Sequence, residues 1–399
     1  MVSIGIIREG KVPEDNRVAL TPSHCQWLLK QHPGCKIVVQ PSGKRCFPDS
    51  SYQKAGAIIS DDLSGCDILL GIKEVPVSDL IDNKTYLFFS HTKKAQPHNQ
   101  KLMHAMMDKN ITLIDYECLE HEDGQRIIGF GFFAGVVGAH NGIMAYGNRT
   151  KEFSLPRVYQ SNDYRNLIRS YFGLKLPNIK VAVTGSGRVA HGVLDIMNLM
   201  DIQEVEPDEY ISKQFSYPVY VHLKGAGLYT HKEKRTYNRD DFHKNASDYE
   251  CLFEPYASYT DILINGIYWD ESVPRLFEPA ALQNAGFRMQ TIADITDDNF
   301  GSVPCNIKDS TIENPIYGVD KQTMHETEPY LASSIDVMAV GNLPNELPCD
   351  ASNYFGDQLI KFVIEDLLYG KSDIIERATI LQKGQLTGRY NYLSEYAAH

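Results

Sequence analysis

A glycine turn near the middle of the chain constrains the fold more than any other feature. Ile179–Thr184 is a β-branched apolar run typical of a buried parallel strand, and an apolar stripe with helical spacing follows the turn. Gly185, Gly187 and Ala190 lie between them in a GxGxxA pattern. The first glycine permits the tight turn, the second lets backbone N–H groups approach a pyrophosphate, and the alanine keeps helix and strand close. The pattern therefore predicts a dinucleotide-binding unit of an α/β protein.

An acidic residue after this turn indicates which dinucleotide is bound. Glu206 lies about 20 residues after Gly185, near the end of the next strand-like run, where a carboxylate accepts a hydrogen bond from a ribose 2′-hydroxyl. The same carboxylate repels the 2′-phosphate of NADP, and no arginine follows it closely. The sequence therefore predicts NAD as the cofactor, with NADP as the alternative because Arg188 could meet a phosphate.

The composition argues against nucleic acid and membrane partners. A chain of 399 residues should form about two domains. Its net charge of −12 leaves no basic face for a phosphate backbone. No apolar run approaches the roughly 18 residues of a membrane span, and the N-terminus lacks the apolar core of a signal peptide. The eight cysteines are scattered without a CxxC pair, which indicates free thiols in a reducing compartment and a cytoplasmic location.

No metal site is predicted. His222, His231 and His243 lie in a polar stretch without the spacing of metal ligands. Asp297 and Asp298 are adjacent, as in some metal-binding pairs, but the surrounding loop favours a capping role.

Strand-like and helix-like segments alternate through the N-terminal third of the chain. The strand-like segments are Val2–Arg8, Lys36–Gln40, Cys66–Ile72, Tyr86–Ser90 and Ile111–Asp115. Such alternation predicts a parallel sheet with helices on both faces. Further along, Ile211–Tyr256 is predicted as a polar surface insertion, Thr296–Lys321 as a loop, and Ala134–Tyr146 and Phe355–Tyr369 as helices.

Ionisable residues follow several of these strands, at the edge where parallel sheets bind ligands. They are Arg8, Lys73 with Glu74, His91 with Lys94, Glu117 and Asp294. Hydride transfer needs a group that moves the accompanying proton, and histidine or a lysine of lowered pKa suits this task. We expect Lys93, Lys94 and Arg17 to lower the pKa of Lys73. The remaining cations predict an anionic substrate such as an amino or oxo acid.

The motifs around these residues are shared with a known family. They read REGKVPEDNRVALTP, GIKEVP, FFSHTKKAQ, DYECLEHEDGQRIIGFGFFAG, GSGRVAHG, EVEPDEY, INGIYWDESVPRL, ADITDDNFGS and GNLPNELPCDASNYFG. In this combination, nearly the whole chain resembles lysine-forming saccharopine dehydrogenase and the lysine–ketoglutarate reductase half of the bifunctional aminoadipic semialdehyde synthases. Parts of the first three motifs also resemble alanine dehydrogenase and proton-translocating transhydrogenase, whereas EVEPDEY, INGIYW and NLPNELP are specific to the narrower group.

The resemblance implies an α/β architecture of two Rossmann-like lobes with parallel sheets and a cleft between the lobes. The N-terminal lobe would be discontinuous, with residues 1–135 and 320–399 forming the substrate domain. Residues 136–319 would form the dinucleotide-binding domain. The helix Phe355–Tyr369 would then pack on the N-terminal lobe.

The resemblance also implies individual site residues, with Lys73 and His91 as the catalytic acid–base pair. The implied substrate-binding residues are Arg17, Glu74, Lys94, Gln96, Glu117, Arg126 and Phe130. The implied cofactor-binding residues are Gly185, Gly187, Arg188, Glu206, Asn265, Ile267, Tyr268 and Asp294. One departure concerns Gly341, because related sequences often read VDNLP where this chain reads VGNLP, so an expected aspartate is absent.

The implied activity is a reversible, NAD(P)-dependent oxidoreduction. Lysine and 2-oxoglutarate condense to an imine, which is reduced to saccharopine. One alternative is the oxidative deamination of a small amino acid, as in alanine dehydrogenase. Lys94, Gln96 and Glu117, together with Arg126, favour the larger tricarboxylic product, which needs more polar anchors. Another alternative is a dinucleotide-binding regulatory protein without turnover, against which the intact Lys73 and His91 argue. The direction of the reaction, the order of the two proton carriers and assembly into a homo-oligomer stay open.

Overall fold

The computed structural model describes residues 2–370 and 372–398, which form two compact units. The first unit combines the chain up to Phe130 with the chain from Pro348 onward, and the second is Gly131–Leu347. The discontinuous N-terminal lobe is thereby confirmed. Its C-terminal part begins at Pro348, however, and not near residue 320 as expected, because the intervening residues supply strands to the second unit.

The first unit contains an eight-stranded sheet and the helices that cover it. Its elements are β1 Ser3–Ile6, α1 Pro22–Gln31, β2 Lys36–Val39, α2 Asp49–Lys54, β3 Ile58–Ile59, β4 Ile68–Leu70, β5 Thr85–Phe88, α3 Gln100–Asp108 and β6 Thr112–Asp115. The second unit follows with α4 Gly131–Thr150, α5 Tyr164–Arg169, β7 Lys180–Thr184, α6 Arg188–Leu199, β8 Gln203–Glu204, α7 Pro207–Ser212, β9 Val219–Leu223, β10 Tyr229–His231, α8 Arg239–Lys244, β11 Tyr249–Cys251, β12 Ile262–Asn265, β13 Thr291–Asp294, β14 Ile316–Asp320, β15 Glu326–Thr327 and β16 Ser334–Met338. The chain then returns to the first unit with α9 Pro348–Leu359, α10 Glu365–Tyr369, α11 Asp373–Ala378, β17 Thr379–Gln382, β18 Gln385–Leu386 and α12 Ser394–Ala397.

Six strands of the first sheet are parallel, in the order β6–β5–β4–β1–β2–β3. Consecutive residues such as Leu69 and Leu70, or Leu87 and Phe88, are all fully buried, as expected for strands covered on both faces. At the β6 edge, β17 and β18 add an antiparallel ribbon from the C-terminal segment. The sheet is therefore mixed and mostly parallel, in agreement with the predicted α/β class.

The C-terminal helix packs on this sheet. α9 continues through a π-helical turn at Ile360–Ile364 into α10, so the helix is longer than predicted. The ring of Phe355 lies 6.0 Å from that of Phe89 and 5.1 Å from that of Tyr116, between centroids. Because both partners follow strands of the first sheet, the predicted packing of this helix is confirmed.

The second unit contains a separate eight-stranded sheet. Six of its strands are parallel, in the order β16–β13–β12–β7–β9–β8, and β14 with β15 adds an antiparallel edge next to β16. Two predictions were wrong here. β9 lies inside the stretch predicted as a surface insertion, and β14 lies inside the predicted loop. Both strands are short apolar runs, which the charged and polar residues around them obscure in the sequence.

Close packing of two helices explains two glycines of the second unit. A Cβ atom at Gly135 in α4 would lie 2.0 Å from the carbonyl oxygen of Val189, and one at Gly192 in α6 would lie 2.0 Å from that of Phe132. The helix backbones are therefore in direct contact, which holds α6 in place behind the glycine turn. Across the described residues, no helix combines the length and apolar character needed to cross a lipid bilayer.

Candidate active site

In the first unit, the carboxyl ends of four parallel neighbours lie at one edge of the sheet. β1, β4, β5 and β6 pair so that Ile6, Leu70, Leu87 and Ile114 form one row across the sheet. The segments that leave these strands carry Lys73, Glu74, His91 and Glu117, and also a charged loop after β1. The expectation that these strands are neighbours is thus confirmed, and the edge is dense in ionisable groups.

Glu74 joins two basic side chains at this edge. Its Oε1 lies 2.7 Å from Nδ1 of His91, and its Oε2 lies 2.6 Å from Nζ of Lys11. Burial opposes ionisation, but the hydrogen bonds from His91 and Lys11 hold the pKa of Glu74 well below its usual range. The ionised carboxylate therefore orients the imidazole through Nδ1. Among the described residues, Nε2 of His91 has no hydrogen-bond partner, so this atom can exchange a proton.

Lys73 has the lowered pKa that a proton carrier needs at neutral pH. Burial lowers it to about 8, with further contributions from the nearby charges of Arg17 and Lys11. Its ammonium forms no hydrogen bond or ion pair within the described part of the chain. Its backbone N–H, by contrast, is fixed by a hydrogen bond of 2.9 Å to the carboxylate of Glu9.

Arg17 is held so that part of its guanidinium stays available. Nε and Nη2 donate to the carboxylate of Asp15 at 2.9 and 2.5 Å, and Cζ lies 4.3 Å from the ring centroid of Phe130. That ring stacks on Phe355 at 4.5 Å, with planes 8° apart. The guanidinium is buried, and its remaining N–H groups can bind a substrate carboxylate bidentately or singly.

The lysines after His91 do not join the group around Lys73, which corrects the expectation about them. Lys93 donates to Glu120 at 2.7 Å, and this hydrogen bond raises the pKa of Lys93 although burial lowers it. Lys94 is exposed. The cations that do act on Lys73 are Arg17 and Lys11, because the loop after β1 brings them to this edge.

The other predicted substrate-binding residues lie in the segments that follow β5 and β6. Glu117 and Arg126 pair with each other at 2.9 Å. Gln96 is half-buried, and its carbonyl oxygen accepts a hydrogen bond of 2.8 Å from Tyr396. Arg8, also expected at this edge, pairs instead with Asp61 at 2.7 Å, where both side chains are at least half exposed.

Three residues of this group escaped the sequence analysis. Glu9 accepts the backbone N–H groups of Ile72 and Lys73 at 2.7 and 2.9 Å, and burial raises its pKa to about 7. Lys11 pairs with Glu74, and Asp15 accepts hydrogen bonds from Arg17. All three lie in the charged run directly after β1, a signal that could have identified them because the run follows a buried strand.

In the second unit, the glycine turn has the predicted geometry. Gly185 has φ of +108°, and a Cβ there would lie 2.5 Å from the carbonyl oxygen of Gly266. Gly187 caps α6, which begins at Arg188, and a Cβ at Gly187 would extend into open space. Strand, turn and helix N-terminus together form a backbone cradle that fits a pyrophosphate.

Polar residues at the next two strand ends bind each other. Asn265 accepts from Thr184 at 2.6 Å and donates to Asp294 and Ser302 at 2.9 and 2.8 Å. Asp294 also accepts from Asn306 at 2.9 Å. All of these side chains are buried, so Asn265 and Asp294 hold the ends of β7, β12 and β13 together instead of presenting polar atoms to a ligand.

Ile267 and Tyr268 continue from the end of β12. Ile267 is buried, whereas Tyr268 is 67% exposed and is the more accessible of the two to a bound molecule. The backbone of Ile267 also contacts the glycine turn, since its nitrogen would lie 3.0 Å from a Cβ at Gly185.

The predicted role of Glu206 requires its strand, β8, to lie next to β7, but the strand order differs. Glu206 follows the edge strand β8 and caps α7, and β9 separates β8 from β7. The strand next to β7 instead ends at Leu223 and is followed by the exposed Lys224. His222, expected in a surface insertion, lies in this strand with Nε2 2.7 Å from the carbonyl oxygen of Gly185.

The space in front of Gly341 is filled by another carboxylate. A Cβ atom at Gly341 would lie 2.6 Å from Oδ2 of Asp297. Burial, with the nearby charges of Asp309 and Asp294, raises the pKa of Asp297 to about 8. In the part of the chain that the structure describes, no group of three or more histidine, cysteine or acidic residues could hold a metal ion.

Comparison with known proteins defines the class of the chain. Residues 5–137 match the family model described as alanine dehydrogenase/PNT, N-terminal domain. Among solved structures, an L-alanine dehydrogenase has a TM-score of 0.67 at 16% identity over 100% of both chains. A transhydrogenase from Sinorhizobium meliloti has a TM-score of 0.63 at 14% identity, covering 96% of this chain and 100% of that one. The chain therefore has the alanine dehydrogenase fold.

The sequence comparison narrows the family. The alpha-aminoadipic semialdehyde synthase of Mus musculus is 30% identical over 439 aligned residues, which cover 96% of this chain and 46% of that protein. The synthase of Arabidopsis thaliana is 31% identical, and the alignment covers 98% of this chain and 41% of that protein. The chain thus spans about half the length of these relatives. The saccharopine dehydrogenase [NAD(+), L-lysine-forming] of Candida glabrata is 26% identical and covers 87% of both chains. The chain is homologous to the lysine-forming saccharopine dehydrogenases and to a domain of these synthases.

Proposed function

We propose that the protein interconverts saccharopine with lysine and 2-oxoglutarate in an NAD(P)-dependent oxidoreduction. The observation that carries this proposal is the group formed by Lys73, Glu74, His91 and Arg17 at one sheet edge. It combines two proton carriers with a buried cation for a carboxylate. The similarity to lysine-forming saccharopine dehydrogenases supports the same activity.

Two side chains divide the proton transfers in this proposal. The dinucleotide supplies or accepts the hydride when bound. Oxidation of saccharopine requires a neutral secondary amine, and hydrolysis of the resulting imine requires protons to move between water and the departing amine. Lys73 and His91 each serve one of these steps, and Glu74 keeps Nδ1 of His91 engaged so that Nε2 exchanges the proton.

Substrate binding in this proposal uses Arg17 and the polar residues that follow β5 and β6. Arg17, pressed against Phe130, binds a carboxylate. Glu117 with Arg126, and the side chains of Lys94 and Gln96, supply the further polar contacts that a tricarboxylic product needs. A small amino acid, as in the alanine dehydrogenase alternative, would leave most of these groups unused.

Both nicotinamide dinucleotides are included because two residues of opposite charge, Lys224 and Glu206, follow β9 and β8, the two strands on one side of β7. The name of the Candida glabrata relative supports NAD. Glu206 favours the 2′-hydroxyl of NAD, while the exposed Lys224 after β9 favours the 2′-phosphate of NADP. We infer that Glu206→Ala raises the use of NADPH relative to NADH, and that Lys224→Ala lowers it. The cytoplasmic location stays a prediction, since the Mus musculus relative is named as mitochondrial.

An absorbance assay of the reduced nicotinamide tests the activity directly. Purified protein is mixed with lysine, 2-oxoglutarate and NADH or NADPH, and in the reverse direction with saccharopine and the oxidised dinucleotide. Turnover is expected in both directions. Pyruvate with ammonia, and alanine in reverse, serve as the control for the small-substrate alternative. Turnover with the control substrates alone would contradict the proposal, and binding of dinucleotide without any turnover would favour a regulatory protein.

A further inference from the structure

Two cysteines far apart in the chain come together in the first unit. Cys46 follows β2, and Cys349 is the second residue of α9, 303 positions later. Sγ of Cys349 lies 3.4 Å from the carbonyl oxygen of Cys46, to which it donates, and the two thiols hydrogen-bond each other. Both residues are half-buried. The pair joins the N-terminal part of the unit to the start of its C-terminal part.

This thiol pair contacts the backbone on both sides of Arg17. The N–H of Cys46 donates to the carbonyl oxygen of Asn16 at 2.9 Å. Ser352, whose Oγ lies 4.0 Å from Sγ of Cys46, accepts the N–H of Val18 at 2.9 Å. A change in the distance between the two cysteines is therefore transmitted to the residues directly before and after Arg17.

We propose that Cys46 and Cys349 form a reversible disulfide that repositions the Arg17 loop. Each thiol loses a proton, the two sulfurs form one S–S bond, and two electrons pass to a low-molecular-weight disulfide such as oxidised glutathione, which becomes two thiols. The S–S bond is about 2 Å long, shorter than a hydrogen bond between thiols. Closure must therefore draw the Cys46 loop and the start of α9 together.

The thiol pair reacts slowly at neutral pH. The hydrogen bond with Cys349, together with burial, raises the pKa of the Cys46 thiol well above its ordinary value. Because the thiolate is the attacking species in disulfide exchange, few molecules react at any moment. The disulfide accordingly forms under sustained oxidising conditions and reopens when a reductant is restored.

The consequence for catalysis rests on the proposed function. Arg17 is the proposed carboxylate-binding residue, so closure of the disulfide should change KM for saccharopine. Couplings of this kind correspond to roughly two- to thirtyfold changes. Dinucleotide affinity, which depends on the second unit, should stay the same.

Peptide mapping tests the disulfide without relying on activity. The full chain is incubated with oxidised glutathione, alkylated and digested without reductant. We expect a linked pair of peptides containing Cys46 and Cys349 that dithiothreitol separates. The link should be absent in Cys46→Ser and Cys349→Ser and retained in Cys251→Ser, a half-buried cysteine of the second unit. Recovery of the two cysteines only as separately alkylated or glutathionylated peptides would overturn the proposal.

Hydrogen exchange then tests the coupling to the Arg17 loop. The Val18 amide should exchange at a different rate in the oxidised protein than in the reduced protein, with no difference in Cys46→Ser. An unchanged rate in protein shown to be cross-linked would overturn the coupling. Absence of saccharopine turnover in the reduced protein would instead refute the proposed function, and would leave both thiol measurements interpretable.

Discussion

The carboxyl edges of the two sheets carry similar residue types and use them in opposite ways. In the first unit, the ammonium of Lys73 forms no hydrogen bond or ion pair among the described residues, and burial lowers its pKa to about 8. In the second unit, Asn265 uses both amide hydrogens and its oxygen on Thr184, Asp294 and Ser302. The first edge keeps proton-exchanging atoms available, whereas the second saturates its polar atoms.

The difference teaches that the hydrogen-bond state of a residue, more than its type, separates a chemical role from a structural one. A buried polar group without a partner is costly, so it persists where a ligand can use it. A saturated network keeps neighbouring strand ends at fixed spacing. In the second unit this rigidity supports a binding surface made of backbone, at Gly185 and Gly187.

The largest expected effect comes from removing a proton carrier at the edge of the first sheet. Lys73→Met and His91→Gln should each lower turnover by roughly 10²–10⁴, the usual value of a general acid–base group. Dinucleotide affinity, measured by fluorescence titration, should barely change because its binding surface lies in the other unit. Near-parental rates in both variants, with saccharopine and with lysine plus 2-oxoglutarate, would remove these residues from the mechanism.

A pair of glycine variants tests the backbone surface of the second unit. Gly185→Ala places a Cβ 2.5 Å from the carbonyl oxygen of Gly266 at a φ of +108°, so strain of about 1–3 kcal/mol should lower the free energy of unfolding. Gly187→Ala meets open space and should keep stability while weakening dinucleotide binding. Urea unfolding and fluorescence titration separate the two effects. Equal stability losses in both variants would contradict the described turn.

A third pair concerns Gly341 and the carboxylate in front of it. Gly341→Asp brings a side chain within 2.6 Å of Asp297, so overpacking should cost about 1–3 kcal/mol of unfolding free energy. Adding Asp297→Ala removes the clash and should restore most of the loss. Urea unfolding of the single and double variants measures this coupling. A double variant as unstable as Gly341→Asp would show that the two positions do not share this space.

The smallest effect is a shift in pH dependence. If neutral Lys73 is the active base, kcat/KM for saccharopine falls as the pH drops below about 8. Lys11 lowers the pKa of Lys73 and pairs with Glu74, so Lys11→Met removes a cation and leaves Glu74 less neutralised. Both changes stabilise the charged ammonium, and the midpoint of the profile should move to higher pH. A midpoint that moves to lower pH would contradict this electrostatic account.

Sequence reasoning predicted much of the site but misplaced several residues. The glycine turn, the parallel strands and the group of Lys73, Glu74 and His91 could be read from local patterns, because strand ends and turns are encoded by neighbouring residues. Lys93 was expected near Lys73, but it pairs with Glu120. That ion pair depends on how a loop folds back, which local sequence patterns do not report.

Errors of a second kind concerned strands within polar surroundings. β9 and β14 are short, and their burial becomes evident only once the sheet is assembled. Because β9 lies between β8 and β7, Glu206 at the end of β8 is not next to the strand that carries the glycine turn. Strand order depends on contacts between distant segments, which hydrophobic periodicity does not report.

By itself, the sequence determined the elements with local signals: the strand–turn–helix unit at Gly185, the alternation in the N-terminal third, and the ionisable residues at strand ends. Only the tertiary structure decided which of those residues act on each other. It brought Glu9 and Lys11 to Lys73, saturated Asn265 and Asp294, and set Cys46 against Cys349. The physical reason is that pKa values and hydrogen-bond partners depend on distances between side chains, and those distances are fixed by long-range packing.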